Sequence, residues 1–348
     1  MGQTSVGGFG DAFILKVSPQ DEVLWISQFG TTADEAAEGV ALDETGAYVA
    51  GSTNGAFEGF ANLGSSDAYV RKYGVDGLLI WTQQFGSSDI DQAYAISVHG
   101  SRVYVAGQTV SGFNPSYAFV RAFDVDGGAL WFSPFAPGYV VPLGIAADES
   151  GEYVVGYQIT GPGVVEGFIA KLDPTGALLW TDSLPAADQT SASDVAVHAS
   201  GVFVVGRTNG ALPGSTNLGN YDAFLAEYSA TGEQLWIRQF GSAEFDEARG
   251  LAADETGIYV GGTTCRLNPP AAEGLARNPT CDVFVSEFTV QGGDVSTVQF
   301  GTGQDDLARD LSLDWTGVYV TGLTNGVFPG EGSSRGGDWD AFVAKVDR

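Results

Sequence analysis

The sequence predicts an all-β fold, a six-bladed β-propeller of four-stranded antiparallel blades, with the N- and C-terminal strands closing the last blade. Three observations carry the prediction. The 348-residue chain repeats itself in steps of 49 to 60 residues, a period typical of propellers and solenoids. Each period holds four short β-prone runs separated by tight turns, the makings of one blade. No stretch carries a helical period of apolar residues.

The elements follow in order. The chain opens on "DAFILKV" (11–17) and "VLWISQF" (23–29). The first full period then reads "GVALD" (39–43), "AYVAGST" (47–53), "DAYVRKY" (67–73) and "LLIWTQQF" (78–85). "DETG" joins the first two runs and "GVDG" the last two. Both are tight turns with Gly where a positive φ is wanted. The "YVAG" element recurs at Tyr48, Tyr104, Tyr153, Phe203, Tyr259 and Tyr319. The "LW" element recurs at Trp25, Trp81, Trp131, Trp180 and Trp236, with Ser296 in the sixth slot. "DAF"-type runs start at 11, 67, 117, 166, 222, 282 and 340, one more than six blades need. The expected organisation is one propeller domain over 1–348. Its blades lie near 37–85, 92–136, 142–185, 193–241, 247–300 and 306–348, and an N-terminal strand at 22–29 completes the last blade beside "DAFVAKV" (340–346). That leaves 11–17 as the surplus strand.

In the first strand of each period a large column (Val40, Ile96, Ile145, Val195, Leu251, Leu311) stands beside a small one (Ala41, Ser97, Ala146, Ala196, Ala252, Ser312). Alternation puts the two columns on opposite faces, so the large face of one blade can nest on the small face of the next. The Trp column sits on the outermost strand, where blades splay apart and a large ring fills the gap.

The repeat "DAFVxKxxxxGxxLWxxQFGxxxxDxAxGxAxDxTGxxYVAGxT" resembles the SBBP-type bacterial β-propeller family across essentially the whole chain. The resemblance implies a secreted or cell-surface bacterial protein, often part of a larger multidomain chain, and a fold more than an activity. Two departures stand out: the third period lacks the acids ("FAPGYVVPLGIAAD"), and the sixth outer strand lacks its Trp. "DPTGALLW" is also similar to quinoprotein propellers, but no cofactor cage accompanies it, and no organic cofactor is expected.

Composition narrows the partners. Net charge is −28, from 15 basic and 43 acidic residues, a field that repels nucleic acid and anionic lipid and draws cations and basic partners. Adaptation to salty surroundings reads the same numbers equally well. No run of about 18 apolar residues is present, so no membrane insertion is expected. "MGQTSVGGFGDAF" has no basic start and no apolar signal core, and the chain reads as a mature piece of a longer protein, monomeric or one module among several. Cys265 and Cys281, the only cysteines, bracket one loop and are expected to form a disulfide, which places the protein in an oxidising, extracellular or cell-surface compartment.

The two turns within each blade are short and lie at one end. The strand-two to strand-three loops and the inter-blade connections lie at the other, where the long segments 54–66, 209–221, 265–281 and 325–339 also fall. Repeat proteins place insertions on a binding face. Repeated acids fall at this end too. One column reads Glu35, Asp91, Val140, Thr190, Asp246 and Asp306, with Asp34, Asp188 and Asp305 beside it. The third strand opens with Asp67, Glu166, Asp222, Asp282 or Asp340. Two readings stay open. The acids cap loop amides, or they hold Ca²⁺ or another hard cation. His99 and His198, the only histidines, occupy the turn column filled elsewhere by Asp43, Asp148, Asp254 and Asp314, so no nucleophile–His–Asp set is built on them. The expected function is a non-catalytic secreted or surface binding and scaffold module, with a protein or glycan ligand on the long-loop face. A carbohydrate-active hydrolase or lyase using acids of that face is the alternative.

Overall fold

The computed structural model describes residues 7–8, 10–20, 22–112, 116–184, 189–267, 279–328 and 339–348. The chain is an all-β six-bladed propeller of antiparallel sheets, with no helix among the described residues. β1 (Ala12–Val17) and β2 (Val23–Phe29) form a two-stranded sheet. Blade one is β3 (Glu35–Asp43), β4 (Gly46–Thr53), β5 (Asp67–Gly74) and β6 (Leu79–Phe85). Blade two is β7 (Ile90–His99), β8 (Arg102–Val110), β9 (Tyr117–Asp124) and β10 (Ala129–Pro137). Blade three is β11 (Val140–Asp148), β12 (Gly151–Gly161), β13 (Val164–Leu172) and β14 (Leu178–Ser183). Blade four is β15 (Thr190–His198), β16 (Gly201–Thr208), β17 (Asp222–Tyr228) and β18 (Gln234–Phe240). Blade five is β19 (Asp246–Asp254), β20 (Gly257–Leu267), β21 (Pro279–Phe288) and β22 (Asp294–Phe300). Blade six has three strands, β23 (Asp306–Asp314), β24 (Gly317–Thr324) and β25 (Asp340–Val346). The contacts gather into two compact units, Met1–Ile159 with Ala170–Trp180, and Thr160–Ile169 with Thr181–Arg348.

One expectation is corrected. The strand at 23–29 does not pair with 340–346. It pairs with the surplus strand, Ala12 opposite Phe29 and Lys16 opposite Trp25, while β25 pairs with β24. The register repeats that of β17 with β18, where Ala223 opposes Phe240 and Glu227 opposes Trp236. The reason is chain entropy: β1 and β2 are joined by a short turn, so their hairpin closes at little cost, whereas residues 340–346 lie some 300 residues away. β1–β2 then covers the outer half of blade one. Ala12 and Phe29 pack against Val49, Phe57, Tyr69 and Tyr73, and the Arg71 guanidinium lies 4.5 Å from the Phe29 ring centroid.

Nesting between blades follows the large-on-small pattern inside each unit. In the first, Ile96 shares a cluster with the small-column Ala41 and with Tyr48, Ala50, Ala68, Val70 and Phe85 of the preceding blade. In the second, Leu251 shares a cluster with the small-column Ala196 and with Phe203, Val205, Ala223 and Leu225, and Leu311 one with Ala252, Tyr259, Val283 and Val285. Val40 departs from its column at 54% exposure, outside the cluster that Ala12 and Phe29 form with blade one.

The Trp column is packing with a fixed seat. The indole N–H of Trp25, Trp81 and Trp131 donates to the carbonyls of Val75, Val125 and Pro174. Each ring lies on the turn glycine of the next sheet. A Cβ on Gly77, Gly127 or Gly176 would come within 2.6 to 2.9 Å of an indole atom, and all three glycines have φ between +80° and +91°. These turns therefore need glycine twice over, for backbone shape and for clearance.

Cys265 and Cys281 face each other across β20 and β21 and are bonded, closing a span of 16 residues. The residues 268–278 inside that span lie outside the described set. Reduction is expected to lower stability by roughly 3 kcal/mol, the chain-entropy value for a loop of this size. Denaturant titration with and without reductant, with intact mass to count thiols, tests this. Two free thiols in the untreated protein would refute the bridge.

Candidate functional site

The first-strand acids are loop clamps. Each sits at the start of an innermost strand and receives donors from the residue four positions earlier. Glu35 accepts from the Thr31 N–H and hydroxyl, both at 2.7 Å, and from the Thr53 hydroxyl at 2.6 Å. Asp91 accepts from the Ser87 N–H at 2.6 Å and the Ser87 and Thr109 hydroxyls at 2.9 and 2.5 Å. Asp246 accepts from Ser242 N–H and hydroxyl at 2.6 and 2.8 Å, and Asp306 from Thr302 at 2.5 and 3.0 Å. All four are buried. Where the column holds Thr190 instead, its hydroxyl meets that of Thr208 at 3.2 Å.

The third-strand acids organise the long loops through a glutamine of the outer strand. Asp67 accepts from Leu63 N–H at 3.0 Å and Gln84 Nε2 at 2.8 Å. Gln84 Oε1 in turn accepts from Phe57 N–H. Asp222 repeats this with Leu218 N–H and Gln239, and Gln239 Oε1 accepts from Leu212 N–H. Asp282 accepts from Gln299 Nε2 at 2.8 Å and pairs with Arg266 at 3.0 Å. The glutamine of "QFG" is thus a loop-holding residue that the sequence showed only as an unexplained repeat.

The remaining predicted residues scatter. Asp34 accepts from Gly10 N–H at 3.3 Å, and Asp305 from Cys281 N–H at 3.1 Å. Asp340 opens β25 opposite Thr324. Asp188 lies outside the described residues. Among the described residues, no group of three or more His, Cys, Asp or Glu side chains is arranged to hold a metal ion. The structure does bring acids together in twos. Asp67 Oδ1 and Asp91 Oδ2 lie 2.6 and 2.9 Å from where a Cβ of Gly86 would stand. Asp282 Oδ1 and Asp306 Oδ2 both lie 2.7 Å from that point on Gly301.

Three carboxyls that matter electrostatically were not singled out in the sequence. Glu152 is fully buried with no hydrogen bond to either oxygen. Burial pushes its carboxyl up to about 7, while the Tyr104 hydroxyl and the Arg102 guanidinium pull the other way. Its signal was a broken column, Ala47, Val103, Glu152, Val202, Ile258, Val318. Asp194 and Asp310 stand in a column otherwise Gly39, Ala95, Gly144 and Gly250. Asp194 accepts from Leu251 N–H at 2.8 Å, across to the next blade. Desolvation and the Asp310 charge push its carboxyl well up, and desolvation raises Asp310 as well. Asp310 itself remains exposed to solvent. At the opposite end, His198 does a turn aspartate's work, its Nδ1 accepting from Ser200 N–H as Asp254 accepts from Thr256 N–H.

No family model matches the chain. The regulatory protein FlaEY of Caulobacter vibrioides is 31% identical over 172 residues, covering 45% of this chain and 18% of that protein. The chain therefore spans under a fifth of the length of this curated relative. Among solved structures, the periplasmic gluconolactonase PpgL of Pseudomonas aeruginosa superposes with a TM-score of 0.54 at 12% identity, covering 91% of this chain and 88% of that one. A Trypanosoma rangeli sialidase in complex with sialic acid has a TM-score of 0.46 at 11% identity, covering 92% and 56%. At such identities the gluconolactonase likeness shows the propeller fold and no more.

Proposed function

We propose that the chain is a non-catalytic binding and scaffold module of SBBP type, secreted or cell-surface, that presents its long-loop end to a protein or glycan ligand. The carrying observation is the use made of the repeated acids. They are buried and spent on holding loops, so they build a rigid frame rather than an open acid–base pair. Loops 54–66 and 209–221 are held by the same net, including Asn62 Nδ2 to the Asn54 carbonyl and Asn217 Nδ2 to the Asn209 carbonyl. Each offers a leucine to solvent, Leu63 and Leu218. Rigid loops on a stable frame bind at low entropic cost. The disulfide supports an oxidising compartment, and the net charge of −28 supports a cationic partner with salt-dependent binding.

A glycan array and a panel of basic proteins, each at low and high salt, provide the test. Binding should weaken at least about tenfold in Leu63→Asp or Leu218→Asp, the loss expected when an apolar anchor is removed from an interface. It should survive Glu44→Ala and Glu255→Ala in the short turns. Binding lost only with the short-turn variants overturns the face. A second reading, a carbohydrate-active enzyme, is favoured by one observation, the mutually interacting Asp194 and Asp310 with raised carboxyls. Hydrolysis of an array glycan by the wild type, abolished in Asp194→Asn, would establish it in place of the binding reading.

A further inference from the structure

The acid pair of blade one has an unmet need. Asp67 is 0% exposed and its Oδ2 is used by Leu63 and Gln84, yet its Oδ1 has no hydrogen-bond partner. That bare oxygen and Asp91 Oδ2 flank the same side of Gly86, at 2.6 and 2.9 Å from its missing Cβ. Asp91 is 3% exposed. Two carboxylates are thus desolvated side by side, and their donors are neutral amides and hydroxyls. Among the described residues neither has a basic partner within ion-pair distance. Burying two like charges without a counter-charge costs several kcal/mol per ion.

The equivalent place in blade five shows how the chain itself answers. There Asp282 and Asp306 flank Gly301 at 2.7 Å each, and the Arg266 guanidinium lies 3.0 Å from Asp282 Oδ2. Arg266 stands where blades one, four and six carry Gly55, Gly210 and Gly326. Blade one therefore lacks the counter-charge that Arg266 supplies at Asp282 Oδ2, although the Asp282 Oδ1 facing Asp306 stays bare in blade five as well. The bare oxygen recurs at Asp222 Oδ1 and at Asp282 Oδ1, so it belongs to the repeat.

We propose that the Asp67–Asp91 pair holds a hard divalent cation of the calcium class, and that Arg266 is its built-in substitute in blade five. Two carboxylates with further oxygens from backbone, hydroxyl or water suit calcium, which takes six to eight oxygen ligands in flexible geometry. Any side chain at position 86 would collide with both carboxylates, so glycine is needed there. The inference is independent of the ligand reading above, since it concerns how one inter-blade connection is neutralised.

The test uses the full chain stripped with chelator. Calcium is titrated calorimetrically to about ten times the ~1 mM dissociation constant typical of weak extracellular sites. The melting temperature should rise with calcium and fall back with chelator. Asp67→Asn should bind one calcium fewer than wild type, and Arg266→Ala one more. Crystals of the wild type soaked in terbium should show an anomalous peak between Asp67 Oδ1 and Asp91, a readout that needs no variant to fold. No such peak, or Asp67→Asn binding as many calcium ions as wild type, overturns the proposal and leaves the bare oxygen to a buried water.

Discussion

Gly206→Ala is expected to cost about 4 kcal/mol and to leave the protein largely insoluble when expressed. The added Cβ would lie 2.0 Å from the Ser191 carbonyl oxygen and 2.9 Å from both Ala192 Cα and the Phe224 ring. None of these can give way. Ser191 is paired with Arg207 in the β15–β16 ladder, and Phe224 is fully buried. The same collision awaits every glycine of the "YVAG" column, with Gly51 facing the Ala36 carbonyl at 1.9 Å and Gly262 the Glu247 carbonyl at 2.2 Å. The cause is the register shift in each innermost pair, between Ala192 and Asp194 in blade four, which tucks a first-strand carbonyl under the second strand. Gly303→Ala, with nothing within 4 Å, is the control and should stay within about 0.5 kcal/mol of wild type. Denaturant midpoints decide. A Gly206→Ala protein as stable as the control would mean that the sheet relaxes freely, contrary to close packing at this column.

Glu152→Val should stabilise the protein at pH 8 by about 2 to 3 kcal/mol and flatten part of its pH profile. The carboxyl ordinarily titrates at 4.5, and burial raises it to about 7 in the folded chain, against the opposing pull of Tyr104 and Arg102. Between those values the folded protein holds a proton that the unfolded chain has released. Stability must therefore fall as pH rises through this window and stay low above it. A rise of this size corresponds to about 3 kcal/mol at 1.36 kcal/mol per pH unit, less whatever water relaxation recovers. Asp194 and Asp310 slope the same way, so the variant removes one share of the slope and not the whole. Valine is the choice because Val103, Val202 and Val318 fill the column in other blades. Melting temperatures from pH 4 to 8 in both proteins provide the check. Parallel curves would show that Glu152 keeps its charge through a partner such as Arg102.

Both effects bear on what was legible beforehand. The repeat revealed the "YVAG" glycine as invariant within the chain but not why, because the collision involves a carbonyl fifteen residues earlier on a bulged strand. Glu152 was visible as a charge in an apolar column. Whether it had found a partner there is a matter of distances between side chains of two blades. The acid columns show the same division. Their place at the long-loop end followed from strand order, whereas their burial under Ser and Thr donors, and the meeting of Asp67 with Asp91 at Gly86, required the folded connection.

The sequence by itself determined the strands, the tight turns, the number of blades and the facing of Cys265 and Cys281, since each depends on alternation and turn chemistry within a few tens of residues. Tertiary structure alone decided the partner of Val23–Phe29. "DAFILKV" and "DAFVAKV" are copies of one strand type and present the same ladder to it, so no local pattern chooses between them. The choice went to the copy on the short tether, where loop closure costs least and where Ala12 and Phe29 bury together against Tyr69 and Tyr73.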